Sequence, residues 1–148
     1  MEQKSKRPVA LTVEQMTMLK NMGYDTSKAS MAYYTYGSGK TVLREASDDA
    51  QVAKKCVPAF TLEDVLNLLP AIELPFGTNG FIYPSVVKFY DDHFACCYLN
   101  FGTSDGREFF RTVGSSGLEA ALKMLQECHE NGYFGKVTVL ENGTKVYG

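Results

Sequence analysis

The stretch most suggestive of chemistry is Gly39-Lys40-Thr41, which matches the end of a phosphate-binding P-loop. That motif also requires a glycine five positions before Gly39, because a wide loop of backbone N–H groups has to curl around the anion. Tyr34 occupies this position, and its bulk would narrow the loop. Gly37 and Gly39 instead lie between two runs of strand-forming residues, which favours a β-hairpin turn over a nucleotide site.

Thiol catalysis would have to use Cys96 or Cys97 together with one of the two histidines, His93 and His129. A reactive cysteine needs an electropositive, partly open environment that stabilises the thiolate. Both cysteines instead lie within an apolar run, where a buried thiol is inert, and His93 lies in a predicted turn. We therefore expect all four cysteines, Cys56 and Cys128 included, to stay reduced and to pack as small hydrophobic residues, and the sequence predicts no catalytic residue.

The sequence gives little support to a metal site or to catalysis by paired carboxylates. No Cys-x2-Cys or His-x3-His pair is present, and adjacent cysteines on a strand point to opposite faces. The carboxylate pairs Asp91-Asp92 and Glu63-Asp64 are explained by a turn and by the first turn of a helix. A zinc site would have to use His93, Cys96, Cys128 and His129. The sequence predicts no metal and no cofactor.

Composition restricts the classes of protein that remain. The 148 residues fit one domain, and 45% hydrophobic residues with 22% charged residues are typical of a folded chain. A net charge of -2 provides no global attraction for nucleic acid, so the charge disfavours nucleic acid as a partner. No apolar run approaches a membrane span, and we expect a cytoplasmic protein. We predict a disordered basic tail at 1–10 and a single α+β domain at 11–148.

Three helices are predicted from their capping residues. The first covers 13–22, with a Thr12–Gln15 capping box and a stop at Gly23. The second follows Thr61 and ends before Pro70. The third begins after Ser116 and ends at Asn131-Gly132. The third helix has an apolar stripe of Leu118, Ala121, Leu122, Leu125 and Cys128.

The strand signals lie between these helices. The predicted strands are a hairpin of 30–36 and 41–46, a meander of 81–90, 94–101 and 107–113, and a C-terminal hairpin within 136–147. Pro84 predicts an edge position for the first meander strand, and the apolar run after residue 94 predicts a central one. Asn142-Gly143 predicts a two-residue turn in the last hairpin. The fold class is α+β, with three helices packed on one face of a mainly antiparallel sheet with hairpins.

Aromatic residues exceed what one modest sheet face can bury beneath three helices, so some should be exposed. Tyrosine suits a contact surface, because it combines a large apolar ring with a hydroxyl group. A surface formed by the second sheet face or its edge is the candidate binding site. An alternative is that all of these rings are core residues. The candidate surface residues are Tyr33, Tyr34, Tyr36, Tyr83, Tyr90 and Tyr98.

Three stretches together resemble a family of small uncharacterised proteins found in the genomes, prophages and mobile elements of gut commensal bacteria. These stretches are LTVEQMTMLKNMGYDTSKASM, PAFTLEDVLNLLP and GLEAALKMLQECHENGYF. The resemblance covers helix caps and stops, so it implies an architecture and no activity. The hairpin of 136–148 departs from it and could alter assembly.

These observations predict a non-enzymatic accessory protein that binds a protein partner or associates with itself, with a homodimer through the sheet as one form. The alternative is a small enzyme or small-ligand-binding protein whose tyrosine-lined pocket includes Cys96, Cys97 or His129. Nucleic-acid binding through the basic N-terminal arm is a third, weaker hypothesis.

Overall fold

The computed structural model describes residues 8–46, 55–75, 80–99 and 108–148. Within these ranges the chain forms three helices and ten strands in three mainly antiparallel sheets, which confirms the α+β class. The chain divides into two compact units, residues 1–64 and 65–148. Residues 1–7, which include the basic side chains of the predicted tail at 1–10, lie outside the described ranges.

The elements have the following bounds: α1 (Val13–Asn21), β1 (Met31–Thr35), β2 (Thr41–Glu45), β3 (Lys55–Ala59), α2 (Leu62–Leu68), β4 (Ala71–Glu73), β5 (Phe81–Ile82), β6 (Pro84–Tyr90), β7 (His93–Leu99), β8 (Glu108–Gly114), α3 (Gly117–Glu130), β9 (Val137–Val139) and β10 (Lys145–Tyr147). The predicted first and third helices are confirmed to within one residue at their ends.

The first unit contains the sheet β2-β1-β3, with both pairings antiparallel. The Gly-Ser-Gly-Lys segment is the turn of the β1–β2 hairpin, in which Gly39 N–H donates to Tyr36 O at 2.8 Å and Tyr36 N–H donates to Lys40 O at 3.0 Å. Gly39 has φ +85°, the left-handed conformation that a three-residue hairpin loop requires at its last position. A strand follows this loop, so the P-loop hypothesis is wrong and the hairpin prediction is confirmed.

Helix α1 packs beside β3 in the same unit. Its predicted capping box is present, since Gln15 N–H donates to Thr12 Oγ1 and Thr12 N–H donates to Gln15 Oε1. These bonds satisfy N–H groups that have no partner inside the helix. The last residue of the predicted tail, Ala10, is buried and forms a β-bridge with Thr61.

The second unit contains the predicted meander as the sheet β6-β7-β8. β7 is central, and Pro84 lies on the edge strand β6, as predicted. Helix α3 packs on this sheet, where Thr112 Oγ1 donates to Ala120 O at 2.6 Å. The predicted stripe of α3 is buried.

A further four-stranded sheet, β5-β4-β10-β9, differs from the single sheet expected. The predicted strand of 81–90 divides at Tyr83, so Phe81 and Ile82 pair with β4 while 84–90 joins the meander. Strand β10 pairs with β4, about seventy residues earlier in the chain. The packing of three helices on one sheet face is therefore not confirmed.

The C-terminal hairpin is present, but its turn is longer than the predicted two residues. Leu140 N–H donates to Thr144 O at 2.8 Å, and Gly143 N–H donates to Leu140 O at 2.9 Å. The loop thus contains three residues, and Gly143 at its last position has φ +88°. This hydrogen-bond pattern is the same as in the β1–β2 hairpin.

Candidate functional site

The six tyrosines predicted as a surface are divided between the two units, and two of them are buried. Tyr33, Tyr34 and Tyr36 belong to the first unit, and the other three belong to the second. Tyr34 and Tyr98 are only 5% and 1% exposed, so both are core residues, and the prediction that they lie on a surface is wrong. The Tyr98 hydroxyl donates to Pro70 O at 2.6 Å, and this bond gives the buried hydroxyl a hydrogen-bond partner.

The remaining tyrosines are more accessible. Tyr33 and Tyr36 are half-buried, and the Tyr33 hydroxyl donates to Leu11 O at 2.9 Å. Tyr83 and Tyr90 are exposed but flank β6 at opposite ends, about 23 Å apart at the usual rise of a strand. They therefore do not form one continuous patch.

The cysteines of the second unit are unsuited to catalysis. Cys96, Cys97 and Cys128 are buried, and burial raises the pKa of the Cys96 and Cys128 thiols to about 12. His93 is exposed, with its Nδ1 2.9 Å from Asp91 O. Across the described residues no cluster of three metal-ligating side chains exists. The prediction that the cysteines pack as core residues is confirmed for these three and is wrong for Cys56, which is exposed.

A groove of about 570 Å³ lies in the first unit beside α1 and β3. It contains Cys56, which is exposed, and the two cations Lys20 and Lys55. Asp25, also in the groove, accepts hydrogen bonds from the Ser27 hydroxyl and N–H, and these bonds lower its pKa. This carboxylate is therefore engaged in a local turn and not in a catalytic pairing.

The feature that stands out is the solvent-facing side of the sheet β5-β4-β10-β9. Its cross-strand register places Val139, Lys145, Glu73 and Phe81 in one row, and Val137, Tyr147 and Ala71 in the next. We call these seven residues the outer β face. The opposite side of the same strands buries Ile72, Ile82 and Val146.

The outer β face is both apolar and exposed. Phe81, Val137 and Val139 are 49%, 54% and 63% exposed. The open side of an antiparallel sheet is usually polar, so three large apolar side chains on it are unusual. Within the face, the rings of Phe81 and Tyr147 pack edge to face with centroids 5.1 Å apart.

The meander has a second partly open face, and it differs in character. Phe89 and Val113 are exposed there, but the Arg111 guanidinium lies over the Phe89 ring at 4.4 Å. Ala95 and Cys97, which the register places on the same side, are fully buried. A cation covers part of this face, whereas on the outer β face the one lysine, Lys145, lies opposite Glu73.

Sequence reasoning missed the outer β face. The alternation of Val137, Thr138 and Val139 marks a strand but does not show which side is solvated. Its composition depends on the pairing of β10 with β4, for which a single sequence carries no local signal.

Comparison with protein-family models, with curated proteins and with solved structures found no match to this chain. The resemblance to proteins of gut commensal bacteria and their mobile elements therefore stays a prediction. Across the described ranges, no helix has the length and apolar character needed to cross a membrane.

Proposed function

We propose that this chain is a non-enzymatic protein-binding module that acts through the outer β face. The observation that carries the proposal is the exposure of Phe81, Val137 and Val139 on one side of a sheet whose other side is buried core. Exposed apolar patches on folded proteins mark interaction sites more often than isolated apolar residues do. We expect this function in the cytoplasm.

The arrangement of the face supports this proposal. β-Branched and aromatic side chains on a sheet are held by their neighbours, so little conformational entropy is lost when a partner docks. Tyr147 adds a hydroxyl 3.5 Å from Glu73 Oε2, and Lys145 lies opposite Glu73. An apolar patch with polar groups among it is the usual composition of a protein interface.

The alternative function, a tyrosine-lined pocket that includes Cys96, Cys97 or His129, has less support. Both cysteines are buried, and the pKa of Cys96 is far above neutrality. The groove beside α1 and β3 is lined by one tyrosine, Tyr24, and by none of those three residues.

Site-specific photo-crosslinking tests the proposal. A benzophenone amino acid replaces Phe81 in one variant and Tyr90, an exposed aromatic residue on the meander, in a matched control. In cells that make the protein, we expect a discrete adduct at position 81 and none at position 90. Adding Val137→Lys and Val139→Lys to the position 81 variant should abolish its adduct, because burying two cations opposes docking. An adduct at position 90 alone, or no adduct, contradicts the proposal.

A further inference from the structure

Strand β9 forms one edge of the four-stranded sheet, and its backbone shows which groups lie at that edge. Leu140 N–H bonds to Thr144 O, and Gly148 N–H bonds to Lys136 O at 3.3 Å. Hydrogen-bonded pairs alternate along an antiparallel ladder, so Thr138 is the residue that bonds to Val146. The N–H and C=O groups of Val137 and Val139 consequently point away from β10. Within the described part of the chain these groups make no backbone hydrogen bond.

The other sheet edges carry features that oppose strand addition. β6 has Pro84 and a bulge near its end, and β3 has Lys55 and Pro58. On β8, Val113 O accepts a hydrogen bond from Lys123 Nζ at 2.9 Å. β2 ends in two charged residues, and β5 has only two residues. By contrast, β9 contains no proline, no bulge and no charge.

We propose that a second copy of this chain pairs antiparallel with β9, about a two-fold axis at Thr138. This inference rests on the proposed function, because β9 contributes Val137 and Val139 to the outer β face. It goes further by naming the partner and the edge.

The edge is complementary to itself under this symmetry. Residue Val137 of one copy lies opposite Val139 of the other, so each pair exchanges two hydrogen bonds and the interface gains four. The four valines form one cluster on the outer β face. β-Branched pairs across neighbouring strands stabilise a sheet.

Thr138 provides a second argument. Its Oγ1 is buried and has no hydrogen-bond partner within the described residues. On the axis, Thr138 lies opposite Thr138 of the second copy as a closely spaced pair that makes no backbone bonds across the new interface. Two threonines in this position can share a hydrogen bond after a side-chain rotation, which would satisfy a polar atom that the isolated chain leaves unpaired.

The resulting dimer would have one continuous eight-stranded sheet, about 34 Å across at the usual strand spacing. The two outer β faces would then join into one. The pairing alone buries far less than the roughly 800 Å² per partner of a stable dimer. The dimer should therefore be weak and depend on protein concentration.

Sedimentation equilibrium of the purified protein tests the pairing. We expect the mean mass to rise from the monomer toward the dimer as concentration increases. Val139→Pro should weaken dimerisation about tenfold or more, because proline removes an outward N–H and leaves the bonds between β9 and β10 intact. The matched Val139→Thr variant keeps the N–H and the β-branch and should dimerise normally. A monomer at every concentration, or a Val139→Pro dimer as tight as the parent, overturns the proposal.

Disulfide trapping tests the axis without relying on proline. In a Cys56→Ser background, Thr138→Cys places two thiols opposite each other, where Cβ atoms lie about 4.5–5.5 Å apart. Val139→Cys, whose side chain is more exposed, faces Val137 of the second copy instead. Under mild oxidation, we expect Thr138→Cys to form a covalent dimer much faster. Equal rates overturn the pairing.

The two proposals can fail separately. A protein that stays monomeric in these tests but forms an adduct with a different protein at position 81 would overturn the dimer and leave the proposed function standing. A dimer without any adduct at position 81 would overturn the function through the outer β face and leave the β9 pairing standing.

Discussion

The Asp64 carboxylate connects two parts of the first unit that are far apart in the sequence. It accepts hydrogen bonds from the N–H and hydroxyl of Ser30 at 2.9 and 2.6 Å, and from Thr61 N–H at 2.9 Å. Burial raises the pKa of Asp64, but these bonds together outweigh burial, and the pKa is lowered. The bonds to Thr61 form the N-terminal cap of α2, while those to Ser30 fix the start of β1.

The sign of the resulting pH dependence follows from the lowered pKa. A carboxyl group whose pKa is depressed by folding adds stability above its unfolded pKa, about 3.9, and this stability is lost as the pH falls through the folded value. Asp64→Asn should lower the free energy of unfolding at pH 7 by about 1–3 kcal/mol. The difference from the parent should shrink below about pH 4. Urea denaturation at pH 7 and pH 3 measures both quantities.

The matched control for Asp64 is its neighbour Glu63, which is exposed in the same helical turn. Glu63→Gln should change stability by less than about 0.5 kcal/mol at pH 7. A difference for Asp64→Asn that is the same at both pH values would contradict the role assigned to its charge.

Thiol accessibility differs sharply among the four cysteines. Cys56 is exposed on β3, whereas Cys96, Cys97 and Cys128 are buried, with the pKa of Cys96 and Cys128 raised to about 12. Only the thiolate reacts quickly. With a chromogenic disulfide reagent at pH 8, we expect one thiol to react at once in the native protein and four in denaturant. Rapid reaction in native Cys56→Ser would show that the buried cysteines are accessible.

At the scale of elements, the contact between β8 and α3 depends on the absence of a side chain at Gly114. A Cβ atom built there would lie 2.7 Å from Ala120 N, a backbone atom of α3. Gly114→Ala should therefore force the strand and helix apart and destabilise the protein by about 1–3 kcal/mol. Chemical denaturation measures the effect.

Gly37 provides the matched control for this substitution. It lies in the β1–β2 loop, and a Cβ atom there would have no heavy atom within 4 Å. Gly37→Ala should alter stability by less than about 0.5 kcal/mol. If both alanine variants unfold at the same urea concentration as the parent, the close packing of β8 on α3 is not as described.

Elements whose signals lie within a few residues of each other could be predicted from the sequence. The caps at Thr12 and Ser116, the hairpin turn at Gly39 and the edge position of Pro84 each depend on local backbone chemistry. The division of the 81–90 run at Tyr83 could not be predicted from the sequence, because both halves have the same strand-forming composition. Which sheet each half joins is decided by partners far away in the chain.

At the scale of the whole molecule, the candidate surface was the least predictable feature. A high tyrosine content is compatible with a contact surface, but it does not show which tyrosines are exposed. Tyr34 and Tyr98 are buried, and their hydroxyl groups form hydrogen bonds inside the protein. The outer β face instead collects Phe81, Val137 and Tyr147 from three separate strands. Such a surface exists only after nonlocal pairing, and a periodic pattern within one strand does not reveal it.

The open loop at Gly37 and Gly39 also has a practical use. Exposed hairpin tips tolerate inserted segments well, and in this one neither glycine has an atom near where a side chain would be. A short epitope placed after Ser38 would let an antibody-coated sensor hold the molecule by its first unit. The second unit, which contains β9 and its two valines, would carry no label. Binding at the outer β face could then be recorded without chemical modification of that face.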